Sequence, residues 1–129
     1  MRKVLFVCVG NCCRSQMAEG FARAYGADVL QAESAGLCPT PEVAPETVQC
    51  MAEKNIDITA QFPKLYDPRA TAPTDLIINL SGGRLPGKTQ AEIRDWNVED
   101  PFLRSPRIYR RSRQEIENRV NQLILELRR

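Results

Sequence analysis

Cys8 closes an apolar run, and Arg14 and Ser15 follow it in the spacing Cys-x5-Arg-Ser. Val9, Gly10, Asn11, Cys12 and Cys13 lie between, and an amphipathic stretch comes after. These residue types in this order suit a tetrahedral oxyanion. A loop that opens a helix carries backbone N–H groups without intrahelical partners, and the helix dipole favours an anion there. Gly10 and Asn11 tolerate the left-handed backbone that turns successive N–H groups inward as a nest. Arg14 adds a planar, permanently charged fork that matches two oxygens at once. The same positive surroundings favour the thiolate of Cys8, which is the nucleophilic form, and Ser15 can donate its hydroxyl to it. The chain has no His, so a Cys–His dyad is impossible and activation must come from the loop. A plainer reading makes this a generic strand–turn–helix connection with Cys8 as a small buried hydrophobe. The Gly-Asn pair and the helix that follows favour the anion site. Gly-x4-Gly-Lys-Ser/Thr is absent, so this is not a nucleotide-triphosphate loop.

A reaction of a phosphoryl or arsenic oxyanion at a thiolate needs a proton for the leaving oxygen. Asp100 is the best-placed carboxyl. Pro101 pushes it toward an extended backbone that projects its side chain, and Phe102 flanks it. Glu99 is its neighbouring rival. Cys8, Cys12 and Cys13 together also raise the question of a metal. Zinc sites use four ligands from spaced pairs; with no His and no second Cys-x2-Cys pair, no metal and no cofactor are expected.

At 129 residues the chain is expected to form a single domain over residues 1–129, large enough for one core. Hydrophobic content of 43% and charged content of 26% suit a globular protein. A net charge of +2 is too small to argue for nucleic acid. Arg104, Arg107, Arg110, Arg111 and Arg113 form a local basic cluster, read first as a solvated helix start and second as a steering surface for an anionic substrate. No apolar stretch reaches membrane-spanning length, and Met1-Arg2-Lys3 runs straight into a strand, so neither a membrane partner nor a signal peptide is expected. Five cysteines, an odd number with three in one loop, do not look like a disulfide framework. They point to a reducing cytoplasm and a reactive thiol. Cys38 and Cys50 read as structural thiols.

The elements that must position these groups alternate along the chain. Lys3 to Val9 reads as a buried strand, because Val4-Leu5-Phe6-Val7 is continuously apolar. Ser15 to Tyr25 is a helix with Met17, Ala18, Phe21, Ala22 and Tyr25 on one face. Val29 to Ser34 is a second strand, and Pro45 opens a helix running to about Lys54. Residues 59–74, rich in Pro and Thr, have no clear assignment. Asp75 to Leu80 and Glu92 to Trp96 are further strands, and a last helix starts near Pro106 with Ile116, Val120, Leu123, Ile124 and Leu127 as its stripe. Such alternation implies an α/β fold with a parallel sheet covered by helices. Ligands of such sheets sit at the carboxyl ends of strands, where Cys8 lies and which the segment after the fourth strand can reach.

With these residues in place, the chain resembles the low-molecular-weight protein tyrosine phosphatase superfamily, which includes the thioredoxin-coupled arsenate reductases. The resemblance rests on Cys8-Val9-Gly10-Asn11-Cys12-Cys13-Arg14-Ser15 with Asp100-Pro101 downstream. It extends through Gln16-Met17-Ala18-Glu19, Glu33-Ser34-Ala35-Gly36, Asn55-Ile56-Asp57-Ile58 and Asp75-Leu76-Ile77-Ile78. It implies a flavodoxin-like three-layer sandwich with a four-stranded parallel sheet. It also implies roles. Cys8 is the nucleophile, and Arg14 clamps the oxyanion. The N–H groups of Val9, Gly10, Asn11, Cys12, Cys13 and Arg14 line the cradle. Asn11 holds the loop in its strained form, Ser15 supports the thiolate, and Asp100 protonates the leaving group. Cys13 matches a cysteine that can form a protective disulfide with the nucleophile, and Cys12 is an extra redox candidate. Asn11, Glu19 and Ser34 match positions that bind potassium in some arsenate reductases; Glu19 reads equally as a solvated helix carboxylate.

Two branches of the superfamily compete. Gln16 and Trp96 with Asp100-Pro101 look closer to the arsenate reductases. Those enzymes also use two resolving cysteines after the third strand, where this chain reads Leu80-Ser81-Gly82-Gly83-Arg84-Leu85-Pro86-Gly87 with no Cys. Phe102-Leu103 reduces the aromatic pair that follows Asp-Pro in many tyrosine phosphatases. The expected main activity is therefore phosphomonoester hydrolysis through a phosphocysteine, on phosphotyrosine or a small aryl phosphate. The alternative is an arsenate reductase in which an external thiol resolves a Cys8–arsenic adduct. A third reading is a non-catalytic oxyanion-binding module.

Overall fold

Strand β1 (Arg2–Cys8) lies at the centre of a four-stranded sheet with β2 (Leu30–Gly36) on one side and β3 (Leu76–Asn79), then β4 (Glu92–Asp95), on the other. All neighbours pair in parallel. The computed structural model describes all residues, Met1 to Arg129. Helices α1 (Arg14–Gly26), α2 (Pro45–Ala52) and α3 (Pro106–Leu127) complete the regular structure. The fold is the expected α/β one, a four-stranded parallel sheet with helices packed on it.

Strand alternation divides the core. Val4, Phe6 and Cys8 of β1 and Leu76 and Ile78 of β3 face the helices, joining Met17 and Phe21 of α1, Met51 of α2 and Ile116, Val120 and Ile124 of α3. Val7 and Ile77 point the other way, into a smaller cluster with Ala35 and Tyr66. The β2-to-β3 connection crosses over β1: α2 packs with the helices, and the last part of the connection covers that second face. This is the Pro- and Thr-rich segment that had no assignment. It supplies Tyr66 and one 3-10 turn, Pro68–Ala70, so the second covering layer is mostly loop.

Two features set the geometry around Cys8. First, α1 is buried on nearly every side from Arg14 to Ala22, a wider burial than one apolar stripe suggests. Second, β2 approaches the loop after β1 very closely. A Cβ on Gly36 would stand 2.8 Å from Asn11 N and 2.9 Å from Val9 O. Only glycine permits that approach.

Candidate active site

The segment from Cys8 to Arg14 wraps a small cavity at the carboxyl end of β1. Its carbonyls all have donors elsewhere. Leu37 N donates to Cys8 O (3.1 Å), Cys38 N to Val9 O (2.8 Å), Thr40 N to Gly10 O (3.0 Å), Ala44 N to Cys12 O (3.2 Å) and Met17 N to Cys13 O (2.9 Å). Gln16 Nε2 donates to Asn11 O at 3.0 Å. With six consecutive carbonyls engaged in this way, the N–H groups of Val9 to Cys13 are left without backbone partners, as an anion nest requires.

Asn11 takes the left-handed conformation at φ 50°. Gly10 does not, contrary to the sequence expectation. Its small size matters instead, because an added Cβ would meet Cys12 Sγ at 3.1 Å and Thr40 Cγ2 at 3.3 Å. Asn11 is held from three sides: its Nδ2 donates to Ser15 Oγ at 2.7 Å, its Oδ1 accepts from Lys64 N at 2.9 Å, and its carbonyl accepts from Gln16. Because Asn11 donates to the Ser15 oxygen, the Ser15 hydroxyl is free to donate onward to Cys8 Sγ, 2.9 Å away. Toward a Cys8 thiolate, which has no proton to give, the chain then runs one way, from Asn11 through Ser15 to the sulfur.

Cys8, Val9, Gly10, Cys12, Cys13, Arg14 and Asp100 line one cavity of about 190 Å³. Asn11 and Ser15 stand behind the cradle. Arg14 is 6% exposed. Its Nη1 donates to Val98 O at 3.2 Å, its Nη2 is 3.5 Å from Asp100 Oδ2, and its Nε is buried without a partner. A buried, unpaired donor at the edge of a nest is an oxyanion ligand in waiting. Asp100 accepts from Phe102 N at 3.1 Å, so its own following turn fixes it at the rim. Glu99 does not compete: it pairs with Arg111 at 2.6 Å and Arg104 at 3.2 Å.

Cys12 and Cys13 lie 3.6 Å apart at sulfur, and Tyr109 Oη is 3.3 Å from Cys13 Sγ. The hydrogen bond from Cys13 holds the Cys12 thiol below the ordinary range. Cys13 is pushed far above it, first by that same bond and then by burial. Tyr109 is likewise pushed up, first by burial and then by Cys13.

Other positions are corrected by the structure. Cys38, read as structural, is exposed and lines the same cavity as Cys8. Cys50 is buried, with Arg113 donating to its carbonyl at 2.8 Å. Glu19 is not a solvated helix carboxylate; it is buried, accepts from Ser34, and pairs with Arg23 Nη2 at 2.7 Å. A side-chain cation thus already meets that carboxylate. Within the basic cluster, Arg104 and Arg111 are paired with Glu99, and Arg110 and Arg113 with Glu53. Sequence reasoning missed the roles of Gln16, Gln61, Lys64, Val98 and Tyr109 in holding the loop. Gln16 is fully buried and accepts from Gln61 at 2.8 Å. A glutamine on the core side of a helix was the available signal.

The chain is similar to known proteins over nearly its whole length. The family profile described as low molecular weight phosphotyrosine protein phosphatase matches residues 3–129. A glutaredoxin arsenate reductase of Synechocystis is 38% identical, with 98% of this chain and 99% of that protein covered. Arsenate reductase 2 of Staphylococcus saprophyticus is 32% identical, with 94% and 95% covered. A structure described as an arsenate reductase in the phosphate binding state superposes with a TM-score of 0.89 at 36% identity, covering 98% of this chain and 99% of that one. These relatives overturn the expectation of phosphomonoester hydrolysis as the main activity: the similarity runs to proteins named for arsenate reduction. That expectation had rested on the missing cysteines after Leu80.

Proposed function

We propose arsenate reduction as the activity of this chain, which belongs to the low molecular weight phosphotyrosine protein phosphatase family. It is an enzyme of a family that holds both phosphatases and arsenate reductases. In this reading arsenate sits in the cradle of N–H groups from Val9 to Arg14. The Cys8 thiolate, supported by Ser15, attacks arsenic. Arg14 holds two oxygens and meets the charge that grows on them, a preorganised form of stabilisation. Asp100 gives a proton to the departing oxygen, which leaves as water. An external thiol of the glutathione or mycothiol kind then attacks the Cys8 sulfur. The sulfur–arsenic bond breaks, its electron pair stays on arsenic, arsenite leaves, and Cys8 keeps the external thiol as a mixed disulfide.

The observation that carries the reading is the cradle itself: outward carbonyls, an unpaired Arg14 Nε and Cys8 hydrogen-bonded to Ser15. The size of the cavity supports an inorganic oxyanion. About 190 Å³ is below the roughly 300–1,000 Å³ of sites that enclose larger organic ligands. The names of the relatives support arsenate among the oxyanions.

The test is a side-by-side assay of purified protein. Arsenate with glutathione or mycothiol should yield arsenite and consume thiol, faster than an aryl phosphate is hydrolysed, and Cys8→Ser should abolish it. No arsenite with any thiol donor, or full activity in Cys8→Ser, overturns the proposal.

A further inference from the structure

Cys38 is a thiol that the reaction above does not use, yet it shares the cavity with Cys8, Arg14 and Asp100. We propose that Cys38 is a resolving residue: it displaces the external thiol from Cys8 and carries the oxidised state from the buried floor of the cavity to its rim as a Cys8–Cys38 disulfide. The inference rests on the arsenate-reductase reading of the same site.

The position of Cys38 follows from the sheet. β2 runs parallel to β1 until Gly36 pairs with Cys8. Beyond that pair the chain stays stitched to the cradle through Leu37 N to Cys8 O, Cys38 N to Val9 O and Thr40 N to Gly10 O. Cys38 is thus held along the edge of the cradle. Leu37 and Cys38 form a bend there, directly after β2. The buried Arg14, whose Nε has no partner, lines the same cavity and independently marks it as the seat of the oxyanion.

Access separates Cys38 from the other thiols. Thiol–disulfide exchange needs an incoming sulfur to reach the disulfide sulfur. Cys8 is 2% exposed, and a thiol bound to it occupies the small cavity above. A protein-sized reductant does not reach that sulfur. Cys12 and Cys13 are buried and engage each other, and Cys13 also meets Tyr109. A bridge from Cys8 to either would stay buried. Cys50 lies under Arg113, outside this cavity. Cys38 is exposed. The Cys38 thiol has no hydrogen-bond partner to give up, and a disulfide needs the two Cβ atoms within about 4.5 Å, so the backbone bonds that stitch Leu37 and Cys38 to the cradle set how far the rim moves.

The step balances as an exchange. The Cys38 thiolate attacks Cys8 Sγ, the bond between Cys8 and the external sulfur breaks, and the external thiolate departs and takes up a proton. One disulfide replaces another with no net redox change. A dithiol protein, or two further molecules of the small thiol, then reduces the Cys8–Cys38 bridge at its exposed sulfur.

The experiment treats fully reduced protein and the variants Cys38→Ser and Cys38→Ala in two arms. One arm uses glutathione disulfide, which loads Cys8 without arsenate; the other uses arsenate with glutathione. Products are trapped by acid and alkylation and located by peptide mass spectrometry. The expected result is a Cys8–Cys38 disulfide in the unsubstituted protein, with little glutathione retained, and glutathione retained on Cys8 in both variants. Loading of the variants also shows that their cradle is intact. The proposal is overturned if the unsubstituted protein forms no Cys8–Cys38 bridge in either arm. It is equally overturned if that protein retains glutathione on Cys8 as the variants do, or bridges Cys8 to Cys12 or Cys13. A bridge that forms with glutathione disulfide but not with arsenate supports the role of Cys38 and strikes only at the arsenate reading.

Discussion

Removing the Asn11 side chain tests whether the cradle stores strain that its own hydrogen bonds hold in place. Asn11 is fully buried, sits at φ 50°, and makes side-chain bonds of 2.7 Å to Ser15 Oγ and 2.9 Å from Lys64 N. Each lost bond leaves a partner unsatisfied, at a cost of about 1–1.5 kcal/mol. Asn11→Gly should therefore lose about 2–3 kcal/mol of folding stability. Asn11→Ala loses the same bonds and also places a Cβ in the left-handed region. That strain costs about 1–2 kcal/mol, less about 0.5–1 kcal/mol because the alanine chain has less entropy to lose on folding. Ala should thus be the worse substitution, by up to about 1.5 kcal/mol. Both variants also free the Ser15 hydroxyl from its fixed direction toward Cys8. A hydrogen bond to a charged group is worth about 1.5–3 kcal/mol, so turnover of arsenate should fall on the order of tenfold to a hundredfold. Equilibrium urea denaturation and steady-state arsenite production read the two effects. A loss below about 1 kcal/mol in both variants, or Gly clearly worse than Ala, refutes the account of a strained residue held by its side chain.

Two other perturbations probe different parts of the molecule. Gly36→Ala places a Cβ 2.8 Å from Asn11 N and 2.9 Å from Val9 O; overpacking against backbone costs about 1–3 kcal/mol. Phosphate affinity, read by calorimetric titration, should drop by about tenfold or more, and an unchanged affinity would show that the cradle does not depend on that approach. Glu53 provides a pH test: hydrogen bonds from Arg110, then from Arg113, hold its carboxyl down at about 2. A depressed folded-state value stabilises the protein above the ordinary glutamate range near about 4.3 and loses that contribution as pH falls toward 2. The stability advantage over Glu53→Gln should shrink across that window in urea melts; an advantage that is constant or grows toward acid refutes the pairing.

Much of the site was legible because it is local. Cys8, the cradle and Arg14 with Ser15 are contiguous, and a strand followed by a helix leaves them little choice of arrangement. Asp100 was legible through its proline and its place after the fourth strand. The 3-10 turn at Pro68–Ala70 was not, because three residues carry no periodicity. Gln16 and Glu19 looked like polar positions on an amphipathic helix. They are buried because the sheet, the other helices and the loop around Phe62 enclose α1 together.

The sequence by itself determined the chemistry available: a thiol, an arginine fork and a nest of amides, with no imidazole to assist. Covalent neighbours cannot drift apart, so their spacing already carries that information. Tertiary structure decided which distant groups serve the cradle. Parallel register placed Gly36 against Asn11 and brought Cys38 to the rim. The return of the chain beyond β4 put Val98 and Asp100 on Arg14 rather than Glu99. Those pairings depend on hydrogen-bond register and burial between segments tens of residues apart, and no local pattern encodes them.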